Sequence, residues 1–298
     1  MVMKKIFLNI MWVLALLSLA AACEKTPQGG ENGGGGNNDT PKEYVWHFNV
    51  QNASQAQSLG LFIRDFEGGL TNGEIRLDAT SGASFELKTD YPLSTGGKIY
   101  AYAPFNAQTS DHKAVKMSIP ALQTSVAVDM PRVAVPMVLD NPKPDSTITI
   151  RMVDIAATLA IKVFSTQNTG EKITGITFTA DSPLAGNFVF NIKEADPNQS
   201  ATMVLSGYTL NTVSVSADLV VGTDAAAANA VPMVLAPGSY TGSITVTTNA
   251  DVYIIKVEEP VVLTRAAETV LTVRTAPKNS QDDNGSTEDF EGGELVTE

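Results

Sequence analysis

The sequence predicts an all-β protein built from β-sandwiches, on three observations. Apolar residues recur with a period of two through most of residues 43–276, and Tyr44, Trp46, Phe48 and Val50 alternate in this way with Val45, His47 and Asn49. Turn-forming strings interrupt these runs at near-regular spacing, among them Gly68-Gly69, Thr71-Asn72-Gly73, Gly96-Gly97, Ala236-Pro237-Gly238 and Asn249-Ala250-Asp251. Threonine and valine fill the runs, as suits a pleated surface that is wet on one side. Helical windows are confined to the alanine-rich stretches 151–161 and 224–230, both short and flanked by strand patterns. Many short strands with regular turns are the pattern of sandwiches.

In chain order, residues 1–22 stand outside this pattern. Lys4 and Lys5 precede the apolar run Ile6 to Leu19, and Ala20-Ala21-Ala22 closes it with small residues. That is the layout of a secretory signal, with an apolar core too short for a comfortable membrane span. Cys23, the sole cysteine, follows at once, so cleavage is expected between Ala22 and Cys23. The string Leu19-Ala20-Ala21-Ala22-Cys23 resembles the lipobox of bacterial lipoproteins, although Ala20 stands where that pattern usually has Leu. The resemblance implies that the Cys23 thiol receives a diacylglycerol and becomes the mature N-terminus. Several acyl chains, at roughly 0.8 kcal/mol per buried methylene, then hold the protein on a bilayer without a spanning helix. Ordinary signal cleavage is the alternative and leaves an exposed free thiol. Residues 23–42 form a lipidated, glycine-rich tether, since Glu24 to Lys42 contains no large apolar side chain.

The alternation then continues through Ile148-Thr149-Ile150, Ile176-Thr177-Phe178, Phe188-Val189-Phe190, Val213-Ser214-Val215, Ile244-Thr245-Val246 and Leu271-Thr272-Val273. Its sharpest break is Asn141-Pro142-Lys143-Pro144, where two prolines cannot donate to a sheet ladder. The expected division is therefore an N-terminal sandwich at 43–142 and a C-terminal one at 145–276. AVPMVL occurs at Ala134–Leu139 and again at Ala230–Leu235, each copy followed by Ile-Thr-Ile or Ile-Thr-Val. Because the repeat does not follow the domain division, convergence of strand edges is favoured over duplication. Residues 277–298 carry seven acidic side chains against Lys278, and a disordered acidic tail is expected. The spacing of Asp282, Asp283, Asn284, Glu288 and Asp289 does not fit an EF-hand loop. DFEGG at Asp65–Gly69 recurs at Asp289–Gly293.

Chemistry is sparse along this chain. A net charge of −12 and a pI near 4.6 exclude a basic nucleic-acid footprint. Removing residues 1–22 takes away two lysines and no acid, leaving −14. One cysteine excludes an intrachain disulfide and a thiolate metal cluster. There is no HExxH, P-loop, strand-linked GxGxxG or GxSxG string, so neither an enzyme, a metal site nor a cofactor is expected. His47 at a polar strand position and His112 in a polar loop are expected on the surface. Glu258 and Glu259 point to opposite faces of a strand, the wrong geometry for a glycosidase pair. Tyr91, Tyr100, Tyr102 and Phe105 could form a sugar-stacking platform, but Tyr100 and Tyr102 share one strand face and core packing is favoured.

The order of these parts is similar to a known family. A lipobox cysteine, a glycine-rich tether and the first strand YVWHFNV are followed by SLGLFI, KIYAYAPFN, DSTITIRMVDIAATLAIKV and PGSYTGSITVTT. This layout resembles the fimbrillins of Bacteroidetes, the subunits of type V pili. The resemblance implies two tandem transthyretin-like β-sandwich domains, no enzymatic activity, and delivery to the outer membrane as a lipoprotein. It implies partners among other fimbrillin-type subunits and host or bacterial surface proteins or glycans. In the family's shaft subunits a protease cuts at a basic residue after the first strand, opening a groove that a neighbour's strand fills. Here Gln51 to Ile63 contains no Arg or Lys, which leaves Lys42 and Arg64 as processing candidates. A surface-exposed, lipid-anchored pilus anchor or accessory subunit is therefore expected over a shaft subunit. The alternative is a carbohydrate-binding outer-membrane lipoprotein of a glycan-uptake system. Asp145-Ser146-Thr147 also resembles a short O-glycosylation acceptor, with Ser146 as the site.

Overall fold

The computed structural model describes residues 42–52, 58–77, 83–125, 130–166, 170–195, 203–275 and 293–296. The architecture is all-β and layered as sandwiches; among the described residues the one helical element is a 3-10 turn at Ile192–Ala195. Both alanine-rich windows are non-helical. The first becomes strand, and the second is a turn ahead of Ala230.

The first sheet has eight strands. Its path runs β3 (Gly69–Arg76), β2 (Ser58–Arg64), β5 (Lys98–Ala103), β8 (Arg132–Ala134), β10 (Thr147–Asp154), β1 (Tyr44–Gln51) and β4 (Ser84–Thr89), with β9 (Met137–Val138) also on β5. β10 joins its two halves. Thr147 to Arg151 pair in parallel with β1, and Met152 to Asp154 pair antiparallel with β8. The sheet thereby folds over itself, and Trp46, Phe48 and Val50 of β1 meet Leu59, Leu61 and Ile63 of β2 in one apolar cluster.

Three further sheets enclose a larger core. One orders β16 (Ala230–Leu235), β11 (Ala157–Phe164), β19 (Glu268–Thr275) and β20 (Gly293–Val296). The second orders β18 (Val252–Leu263), β17 (Gly238–Thr248), β12 (Lys172–Ala180), β15 (Thr212–Val220) and β7 (Leu122–Thr124). The third orders β14 (Val204–Leu210), β13 (Ala185–Phe190) and β6 (Val115–Ile119). Phe62, Tyr100, Tyr102 and Val133 of the first sheet belong to this larger core, whereas Leu61, Ile63, Ile99 and Ala101 belong to the smaller one. The β2–β5–β8 layer is thus apolar on both faces, which explains the unbroken burial of Ile99 to Ala103. Where β16 turns into β17, the buried Tyr240 hydroxyl donates to Ala236 O at 2.9 Å. Burial pushes its pKa up to about 12, so it stays a donor at any physiological pH.

Strand pairing crosses the expected 142/145 break. β6 and β7, which precede it, pair with β13 and β15, while β10, which follows it, returns to the first sheet. A proline-bounded turn ends a strand but does not choose the next strand's sheet. The two AVPMVL copies also take different partners: the first is split into β8 and β9, and the second is the single strand β16 on β11. The tail needs a correction as well. Gly293–Val296, expected to be disordered, forms β20 and pairs antiparallel with Thr272–Thr275. An open edge of β19 presents unpaired N–H and C=O groups, and main-chain pairing is indifferent to the tail's charge. In both DFEGG copies the last glycine opens a strand, Gly69 in β3 and Gly293 in β20.

Candidate assembly strands and surface sites

β1 lies inside its sheet, with antiparallel β4 on one side and parallel β10 on the other. Its inward side chains are almost fully buried, Trp46 at 1% exposure. The Trp46 Nε1–H donates to Thr89 Oγ1 at 3.0 Å, and the Phe48 ring stacks on Phe85 with centroids 4.7 Å apart. At its start, Lys88 Nζ pairs with Glu43 at 2.9 Å, and Lys42 sits 5.0 Å from the Tyr44 ring centroid. Removing β1 would open a groove shaped by Trp46, Phe48 and Val50, with ladder partners waiting on both edges.

The two processing candidates differ in access. Lys42 lies exposed before β1. Arg64 ends β2, and its backbone is held between Gly69 of β3 and Lys98 of β5. A protease needs an extended, unpaired segment, so Arg64 becomes a substrate only if that end of the sheet opens. Cys23 and Ala22 lie outside the described residues. Ser146 is exposed in the turn before β10, its hydroxyl donating to Lys143 O at 2.7 Å.

His47 is on the surface, with Nδ1 3.4 Å from Glu86 across the strand pair. His112 is not, which corrects the surface assignment. It is 5% exposed, stacks on Tyr100 with centroids 4.0 Å apart, and its backbone oxygen accepts from Ile192 N. Its Nδ1 has no hydrogen-bond partner, although Asp111 Oδ1 lies 3.1 Å away. Burial drives its pKa below 6.5; Asp111 opposes the shift, and Arg64, Lys113 and Lys193 add to it. The unfolded chain therefore takes up this proton first. The contribution to stability is full above pH 6.5 and is lost as pH falls through the lower folded value. Acidification from pH 7.5 to 5.5 should lower the melting temperature of the wild type more than that of His112→Phe; equal losses would remove His112 from the pH response.

The tyrosines form no sugar platform. Tyr100 and Tyr102 are core residues, and the Tyr102 hydroxyl donates to Asn72 Oδ1 at 2.6 Å. Two features escaped the sequence analysis. Gln123 is buried and bonds the backbone of Val234 from both ends of its carboxamide, at 2.8 Å each. Tyr208 is 67% exposed on β14. Neither stands in a recognisable motif. Among the described residues no cluster of His, Cys, Asp and Glu suits a metal ion, and no helix is long and apolar enough to cross a membrane.

No protein-family model matches the sequence. No curated protein matches it either. Solved structures do. A candidate cell adhesion protein from Bacteroides uniformis superposes with a TM-score of 0.53 at 11% identity, covering 86% of this chain and 96% of that one. A second, from Bacteroides ovatus, gives 0.50 at 11% identity, covering 78% of this chain and 91% of that one. The C-terminally truncated tip fimbrial protein Mfa3 from Porphyromonas gingivalis gives 0.46 at 10% identity, covering 80% and 96%. With its folded-over first sheet and the three-sheet core beside it, the chain has the fold of these Bacteroides adhesion-type proteins over nearly their whole length.

Proposed function

We propose that this protein is a fimbrillin-like surface lipoprotein, held on the outer membrane through Cys23, that serves as an anchor or accessory subunit of a type V pilus. The observation that carries the proposal is the placement of β1. It follows the tether directly, fills an inner position of the first sheet, and is followed by no basic residue before Arg64, whose backbone is paired on both sides. A strand that is not cut away keeps its own groove filled, and the lipid stays attached as long as Lys42, exposed ahead of the strand, is not cut either. Such a subunit can end or brace a fibre, but it cannot accept a donor strand in that groove. Its own edge at β19, covered by β20, is the candidate contact for a neighbouring subunit by strand addition.

The test is the mature N-terminus of protein isolated from cells. Mass spectrometry should find an acylated Cys23, and labelled palmitate should enter the wild type and not Cys23→Ser. A mature chain beginning at Asp65 would assign it to the processed shaft subunits instead, and an unacylated Cys23 would end the anchored form.

A further inference from the structure

We infer that the cleft between the 104–109 loop and the outer face of the β6–β13 pair is a binding site for a single sugar ring of a surface glycan. The cleft has a volume of about 240 Å³, room for one pyranose and little more. Its floor is set by strand alternation. Met117 and Phe188 turn inward to the core, so Lys116 and Ser118 of β6 and Asn187 and Val189 of β13 face out, in register as Lys116↔Val189 and Ser118↔Asn187. Its wall is the loop, fixed in place by three bonds. Asn106 N donates to the Tyr102 hydroxyl at 3.1 Å, Asn72 Nδ2 donates to Asn106 O at 3.0 Å, and Lys116 N donates to Thr109 Oγ1 at 3.1 Å. The wall brings Asn106 and Gln108 to the cleft.

The lining selects the ligand. Three carboxamides and a hydroxyl can each donate and accept, as sugar hydroxyls do. Among the residues that line the cleft there is no carboxylate, although the chain carries a net charge of −12. A cationic ligand has no counter-charge there, whereas the hydroxyls of a neutral or carboxylated sugar can use every amide, with Lys116 beside them. β14 supplies the remaining element. Its register on β13 jumps from Gly186↔Thr209 to Phe188↔Leu205, so Tyr208 projects from a bulge opposite Asn187. Gly207, at a φ of 80°, makes the bulge. Tyr208 lies outside the lining itself, on the next strand of the same sheet, where an exposed aromatic ring offers the apolar face of a sugar that extends from the cleft a stacking surface with its polar groups kept wet. This site is independent of β1, β20 and Cys23, so it stands or falls separately from the pilus assignment.

The full-length chain should be applied to an array of host, dietary and bacterial glycans, and the best binder titrated in solution. Tyr208→Ala and Asn187→Ala are each expected to weaken binding about tenfold or more. Gln108→Ala, in the loop, should weaken it by a smaller factor. Lys256→Ala, in a different sheet, should leave it unchanged. Unaltered melting temperatures for all four variants keep the comparison free of folding effects. Glycan binding that survives both Tyr208→Ala and Asn187→Ala would overturn the site, as would an array on which nothing binds.

Discussion

Trp46→Ala should destabilise the protein by about 3–5 kcal/mol, the range for emptying a fully buried aromatic site. Trp46 is the largest side chain in the smaller core, and truncation also removes its hydrogen bond to Thr89. For a protein of this size each kcal/mol moves the melting temperature by roughly 2–4 °C, so a drop on the order of 10 °C is expected. Trp46→Phe should cost much less, since it keeps most of the volume and loses mainly the bond. The experiment also speaks to maturation. Protein isolated from the cell surface shows the full effect only if β1 is still present; a surface form with an unchanged melting temperature would mean that the strand is removed.

Gln123→Leu should be nearly as costly, for a different reason. The Gln123 Nε2 group donates to Pro120 O and Val234 O, and its Oε1 accepts from Val234 N, all at 2.8 Å. The carboxamide takes the place of a ladder partner on the side of β16 that faces away from β11. Leucine fits the space but leaves Val234 N–H and C=O buried and unpaired, at roughly 1–3 kcal/mol for each group. Gln123→Glu separates this from packing. A carboxylate can accept from Val234 N but not donate to Val234 O, so the variant should be weakest at neutral pH and recover as acid protonates it. Thermal unfolding of the two variants at pH 7.5 and 5 checks both statements. Two melting temperatures within a degree of the wild type would show the β7–β16 connection to be dispensable.

Much of the fold was legible because a strand's period of two is a local property. Tyr44 to Val50 alternates in sequence and alternates in burial, and the same holds for Ile176 to Ala180 and Ile244 to Thr248, beyond the bulges of their strands. The runs at Leu59 to Ile63 and Ile99 to Ala103 do not alternate, and their unbroken burial follows from a layer with a core on each side. His112 and Gln123 show where local pattern stops. A histidine after an aspartate in a polar loop reads as solvent-facing, yet the loop folds down onto Tyr100. In Leu122-Gln123-Thr124 alternation would bury the apolar residue, but Leu122 is 82% exposed and Gln123 is inside, because an open backbone edge on β16 needs its carboxamide. Tyr208 was equally silent, since an aromatic on a strand is core or rim depending on a bulge that only pairing reveals.

From the sequence alone came the expectation of a leader and tether around Cys23, the all-β class, the positions of most strands, and the lack of a basic residue between β1 and Ile63. The tertiary structure decided which strands share a sheet, that β10 rejoins β1 across a double-proline turn, that β20 closes the β19 edge, and which polar residues go inside. The division has one physical cause. Strand formation depends on neighbours a few residues apart, whereas strand partnership is set by backbone hydrogen bonds and packing between segments about a hundred residues apart, such as β1 and β10 or Gln123 and Val234, and no local pattern records that choice.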